Sequence, residues 1–289
     1  MKKKLLMIIA GIMAVVTLFT FASCSSNTEK NILVVCRDAA SGTREAFDKF
    51  VGLQASELIS DKEEYSSTAN VREKVATTKT AIGYISLASV DDSVKALKVN
   101  GVEATEENVR SGEYKIQRPF LLLTNNSVTL QPAAQDFFNY CMSSTAKDGI
   151  TATHGILPSD FTSRSEYTVP STALSGDVVV KGSTSMTDLM EKLIANYKAL
   201  LGDKVANVKF TISFNGSSEG RTAAKGDTNG TVIGVASSSS KNDAYTETTI
   251  CLDAVAVIVN KDNDQISNVT AEILKDIYTG KITKFSEIK

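Results

Sequence analysis

The sequence predicts an α/β protein. Three observations carry that expectation. Short apolar runs of strand length alternate with stretches of helical period, several strands end in turns rich in Gly, Ser and Thr, and a polar tract at residues 159–177 supplies the best linker in the chain. With its N-terminal leader set aside, the 289-residue chain has room for one large domain or two modest ones.

The elements follow in order. Residues 32–36 (Ile-Leu-Val-Val-Cys) read as a short buried strand, and 41–51 as a helix with Phe47, Phe50 and Val51 on one face. Residues 81–86 and 120–124 are two further strands, and 135–142 is a helix. The tract 159–177 follows, with Pro158 and Pro170 as breakers. Beyond it, 178–180 is a strand leading into an amphipathic helix. Met186, Leu189, Met190, Leu193, Ile194 and Tyr197 share one face of that helix. Val208, Phe210, Ile212 and Phe214 alternate as a half-buried strand should. Residues 252–259 form a continuous apolar strand, stopped by Asn260-Lys261-Asp262-Asn263, and 270–278 form a short helix that ends at Gly280.

The leader sets the compartment. Met1 is followed by Lys2, Lys3 and Lys4, an apolar stretch at 5–22, and then Ala22-Ser23-Cys24 with a polar run behind it. A basic start, an apolar core and small residues at the exit describe a secretory signal. The exit resembles a bacterial lipobox, with Phe21 where Leu is commoner, which implies that Cys24 receives a diacylglycerol and becomes the mature N-terminus. Two acyl chains hold a protein firmly at a membrane surface, here the outer face of the cytoplasmic membrane. Ordinary cleaved secretion and a retained helix are the alternatives. Cys36, Cys141 and Cys251 each sit in apolar sequence and read as buried free thiols, not as a disulfide framework or zinc site. With a net charge of −2, no Trp and no basic stripe, a nucleic-acid partner is not expected.

One arrangement recurs three times: a strand, a Gly/Ser/Thr-rich turn, and a helix. The turns are Gly182-Ser183-Thr184-Ser185, the run from Arg37 through Ser41-Gly42-Thr43-Arg44, and Asn215-Gly216-Ser217-Ser218-Glu219-Gly220. The first N–H groups of a helix lack internal partners and the helix dipole adds positive charge. Gly permits close backbone approach and hydroxyls add donors, so each junction suits the oxygens of a tetrahedral anion. Arg37 and Arg44 add full charges beside one of them. The plainer reading of each junction alone is helix capping; Ser185 with Asp188 fits a capping box. Gly216-x-Ser218-x-Gly220 also fits a hydrolase nucleophile elbow, but the chain's single His, His154, precedes it where the hydrolase order places it after. Read on to Arg221-Thr222, the same segment imitates a P-loop one residue short, with Arg for Lys. No catalysis and no cofactor or metal are expected.

At these residues the chain resembles the phosphate-binding protein family, the receptor component of bacterial phosphate ABC importers. The Gly182–Ser185, Gly216–Ser218 and Ile233–Ser238 segments resemble its three loops, residues 252–260 with 277–282 its middle region, and Arg37 with Ser41-Gly42-Thr43-Arg44 its arginine loop. Residues 81–86, 100–102 and 118–120 also match. The resemblance implies a two-lobed periplasmic-binding-protein-like (type II) α/β fold closing over phosphate. By position it implies Thr184, Ser185, Ser217, Ser237, Arg37, Ser41, Gly42 and Thr43 as phosphate-binding residues, with Arg44 mattering less and pointing partly to solvent. It further implies delivery to permease subunits by a lipid-anchored monomer. Tight phosphate binding and much weaker sulfate binding are expected. Some relatives carry an Asp, where this chain has Ser237, that accepts the ligand's proton, so a sulfate- or molybdate-like oxyanion receptor is the alternative; Glu219 and Asp38 lie close in sequence to site residues and could substitute for it, the plainer reading of both being exposed loop carboxylates. The family begins with the Gly-Ser-Thr-Ser loop, whereas here the arginine loop comes first, the order of a circular permutant. One lobe is then expected at 31–110 plus 253–289 and the other at 111–252, including the linker. A surface phosphate sensor or adhesion module is a further alternative.

Overall fold

The computed structural model describes residues 30–240 and 242–288; the leader and the lipidation expected at Cys24 lie outside the described residues. The first half of the folded body runs β1 (Leu33–Arg37), α1 (Gly42–Val51), β2 (Glu63–Tyr65), α2 (Thr68–Thr77), β3 (Ala81–Ser86), β4 (Val94–Ala96), β5 (Lys98–Val99), α3 (Glu106–Arg110), β6 (Gln117–Asn125), α4 (Pro132–Met142) and α5 (Lys147–Ala152). The second half runs β7 (Ser175–Gly182), α6 (Thr187–Leu201), β8 (Asn207–Phe214), α7 (Ser217–Lys225), β9 (Val232–Ala236), β10 (Tyr245–Asn260), β11 (Asn268–Val269) and α8 (Ala271–Tyr278).

The main sheet runs β2-β1-β3-β10-β6-β9-β7-β8, with β4 added on β10. Its two ends are parallel: β1 pairs with β2 and β3, and β7 with β8 and β9. Parallel neighbours need crossover connections, which is why helices separate these strands in sequence. The middle is antiparallel, where the 16-residue β10 pairs with β3 through its C-terminal part and with β6 through its N-terminal part. Two cores result. One gathers Phe120, Phe137, Tyr140, Leu193, Tyr197, Val235 and Cys251; the other gathers Phe47, Tyr84, Ile116, Val257, Leu274 and Tyr278. In the second core Phe47 stacks on Tyr84 with ring centroids 4.0 Å apart.

Local chemistry explains the helix limits. Ser41 Oγ accepts from the backbone N–H of Thr43 and Arg44, and Gly52 closes α1 in the left-handed region at φ +68°. Thr270 caps α8 in the same manner. The six apolar residues expected on one face of α6 are all buried. The three thiols Cys36, Cys141 and Cys251 are free and buried. No helix among the described residues is long and apolar enough to cross a membrane.

Several expectations need correction. The strand expected at 252–259 begins at Tyr245, because the polar residues Thr246–Thr249 take their ladder partners from β6 and need no apolar face. In β8, Val208 is buried but Ile212 is 42% exposed, since β8 is the outermost strand and is paired on one side only. The tract expected at 159–177 ends earlier, because β7 already begins at Ser175, and its residues are fastened to the body: Tyr167 Oη donates to Asp136 Oδ2 at 2.5 Å, Ser144 N to Ser165 O at 2.9 Å, and Lys204 Nζ to Pro170 O at 2.6 Å. The two ends of the folded body also meet, with Ile32 N donating to Thr283 O at 2.7 Å.

Candidate functional site

The three Gly/Ser/Thr-rich turns converge with the C-terminal end of β9. β1 delivers Arg37, and the turn after it places Ser41, Gly42 and Thr43 at the start of α1. Gly182 ends β7 at φ +142°, where a Cβ would run into Val235 O, and the chain then turns through Ser183, Thr184 and Ser185. Ser217 opens α7, and Ser237 follows β9. Gly42 is the point of closest approach. A Cβ there would fall 2.7 Å from Ser237 Oγ and 2.8 Å from Ser238 Oγ, and closer still to Ser217 Oγ.

The hydroxyls form one buried network. Thr43 Oγ1 lies 3.0 Å from Ser185 Oγ, Ser183 Oγ donates to Ser237 Oγ at 2.9 Å, and Ser217 Oγ accepts from Ser237 N at 3.1 Å. Ser217 Oγ is also 3.3 Å from Ser237 Oγ. Thr68 Oγ1 stands 3.3 Å from Ser185 Oγ and 3.4 Å from Thr184 Oγ1. Ser185 therefore serves this network, and the cap of the turn before α6 is Ser183, which accepts from Ser185 N. Seven of the eight residues named from the sequence meet here; Ser41 is buried beside them and caps α1, accepting from Thr43 N and Arg44 N.

Two guanidiniums enter the network. Arg37 is 1% exposed, and its donors reach only neutral oxygens: Tyr65 O at 3.2 Å, Ser66 O at 2.8 Å and Thr68 Oγ1 at 3.0 Å. Burial pushes its pKa down to about 10. Arg118 donates to Thr43 Oγ1, Ser237 Oγ and Ser185 Oγ and pairs with Asp253, Nη2 to Oδ2 at 2.8 Å. Its pKa is lowered by burial, against which Asp253 acts. Arg118 is thus paired with Asp253, and Asp38 is the carboxylate that acts on Arg37.

Other residues turn elsewhere. Arg44 is buried, contrary to the solvent-facing position expected of it, because it pairs with Asp48 and Glu64 and donates to Arg37 O at 3.1 Å. Asp38 and Glu219 are half-buried and accept from nearby groups of their own turns, Ala40 N and Asn215 N. His154 stands in the turn after α5 at φ +58°, with its N–H on Thr151 O.

A family model described as a PBP superfamily domain matches residues 23–145 and 168–287. Phosphate-binding protein PstS 2 of Streptococcus pneumoniae serotype 4 is 36% identical, across 93% of this chain and 91% of that one. The chain belongs to the phosphate-binding protein family. A phosphate-binding protein PstS 2 from Streptococcus agalactiae serotype V is 33% identical over 98% of this chain and 97% of its own. The crystal structure of a phosphate-binding protein of a phosphate ABC transporter from S. pneumoniae TIGR4 superposes with a TM-score of 0.70 at 36% identity, covering 90% of this chain and all of that one.

Thr68, Arg118 and Asp253 of the network were not named from the sequence as site residues, whereas Ser183 lay within the Gly182–Ser185 turn that was singled out. Asp253 carried a signal. Asp253 is a carboxylate inside an apolar strand, and a buried carboxylate demands a partner. Arg118 heads the strand that pairs with it, with Asp253 and Arg118 directly opposite in register. Thr68 carried none, because α2 buries only Thr68, Val71 and Val75 and has little periodicity to read.

Proposed function

We propose that this chain is an extracytoplasmic receptor that captures inorganic phosphate in the hydroxyl network, delivers it to an ABC importer and performs no reaction. The observation that carries the reading is Arg37. A guanidinium 1% exposed whose side-chain donors reach only neutral oxygens is a buried charge suited to pair with an anion. Around it Thr184, Ser185, Ser217, Ser237, Ser41, Gly42 and Thr43 supply hydroxyl and backbone donors from separate elements, so a tetrahedral anion is gripped on several sides at once. The relatives named above support phosphate as that anion.

Two lobes, 31–110 with 253–289 and 111–252, follow the two cores except that Tyr114, Ile116 and Ile156 of the second range pack in the core of the first, and the meeting of Ile32 with Thr283 supports a permuted order whose breakpoint is a former loop. Anchoring at Cys24 places the receptor on the outer face of the membrane as a monomer. Calorimetric titration with phosphate tests the reading; the full chain should bind it tightly, and absence of binding refutes the proposal. Cys24→Ala should release the protein from the membrane fraction or leave it unprocessed.

A further inference from the structure

Arg118 enters the site from β6 with its side chain 2% exposed, and its two outer nitrogens point into the hydroxyl network. Nη1 donates to Thr43 Oγ1 at 2.8 Å and Ser237 Oγ at 3.1 Å, and Nη2 to Ser185 Oγ at 3.1 Å. Its other edge is fixed by Asp253. That carboxylate is held by four hydrogen bonds: Oδ2 accepts from Ser86 Oγ at 2.8 Å, Arg118 Nε at 3.0 Å and Arg118 Nη2 at 2.8 Å, and Oδ1 accepts from Ala88 N at 3.3 Å. Asp38 and Glu219 are used by their own turns.

The consequence concerns which anions the site tells apart. A carboxylate facing the ligand accepts the proton of a protonated anion and repels a fully ionised one, a difference on the order of a thousandfold at contact distance. A hydroxyl rotates to donate or accept and imposes no such penalty. On the network side of Arg118 the acceptors are the hydroxyls of Thr43, Ser185 and Ser237. We infer that Arg118 is a second cationic ligand of the bound anion, and that with Asp253 consumed in holding it the site selects tetrahedral oxyanions by charge and shape, not by their proton. Sulfate then belongs with phosphate in the ligand class, in place of the strong exclusion expected from the sequence. The inference rests on the receptor reading above.

The test is calorimetric titration of the purified full chain with inorganic phosphate and, separately, with sulfate. The wild-type chain should bind the two within about tenfold of each other. The double variant Arg118→Gln/Asp253→Asn removes one charge of each sign, so the net charge of the site is unchanged while the Arg118 contact is lost. It should lose roughly a hundredfold in affinity for both anions alike. Arg118→Lys keeps the ion pair but not the planar fork, and serves if the double variant does not fold; about a tenfold loss for both anions is expected. A wild-type preference for phosphate beyond about a thousandfold overturns selection by charge and shape. Unchanged affinity in the folded double variant, or in Arg118→Lys, overturns the ligand role of Arg118. Phosphate binding with sulfate excluded leaves the receptor reading standing, whereas binding of neither anion removes that reading and this inference together.

Discussion

Glu45 Oε2, on α1, accepts from Ser238 Oγ at 2.7 Å and from Arg221 Nη2, on α7, at 3.1 Å. Arg221 Nη2 also donates to Ser238 O at 2.9 Å, so three residues from separate elements close a small polar latch beside the hydroxyl network. The Glu45 side chain is 46% exposed, so the pair contributes little to stability. Its effect belongs to the lifetime of the bound state. Glu45→Gln should raise the phosphate dissociation rate by about two- to fivefold and leave association nearly unchanged. Stopped-flow displacement measures both, and an unaltered dissociation rate would show the latch to be a bystander.

Arg37→Ala should weaken phosphate binding by roughly 2–5 kcal/mol, because the anion loses its desolvated cationic partner. Arg37→Lys should restore part of that, since Lys brings the charge without the fork. Arg44→Ala should lower thermal stability more than affinity, because Arg44 is occupied with Asp48 and Glu64. A near-neutral titration for Arg37→Ala would place Arg37 outside the site.

Gly42→Ala puts a methyl group against Ser217 Oγ and Ser237 Oγ while leaving a helix start that tolerates Ala. The expected result is at least about a tenfold loss of phosphate affinity, worth ~1.4 kcal/mol, with a melting temperature close to that of the parent. Retained affinity would mean that the turn after β1 has slack that its contacts do not show.

Alkaline pH should unfold the chain early. Burial raises Cys36 to about 11 and lifts Tyr84 and Tyr278 well above the ordinary tyrosine value. A folded-state pKa above the unfolded one gives stability that is whole below the unfolded value and is lost as pH rises through the folded one. Arg37 is shifted the other way, to about 10, and offsets part of the loss as it gives up its proton. The raised groups outnumber it, so the urea midpoint should be flat from neutral pH to about 9 and fall steeply above that. A midpoint that holds at pH 11 would contradict the burial of these groups.

Much of this architecture was legible in the sequence because periodicity and burial coincide. The face of α6 and the apolar run of β10 announce themselves, and the turns at Gly182, Ser41 and Gly216 stand at strand ends where hydroxyl clusters are conspicuous. Long-range pairing was not legible. Nothing local to Arg118 says that its partner lies 135 residues away, and Thr68 acquires meaning only when α2 is laid beside the turn after β7. The attachments of the tract 159–177 were hidden for a related reason. Its polar composition reads as a tether, but Tyr167 and the Pro170 carbonyl find partners on α4 and near α6 that composition cannot show.

The paired strands β6 and β10 are the crossing between the two cores, and Arg118 stands opposite Asp253 on them, near the register shift between Thr249 and Cys251. A body that opens between its cores turns about such a crossing as a door turns about its hinge post. Atoms at the post scarcely travel, while those at the free edge sweep the full arc. Were the receptor to open between its cores about this crossing, Arg118 would move least, and the Glu45–Ser238 contact, which joins α1 to the turn after β9, would be among the first to part.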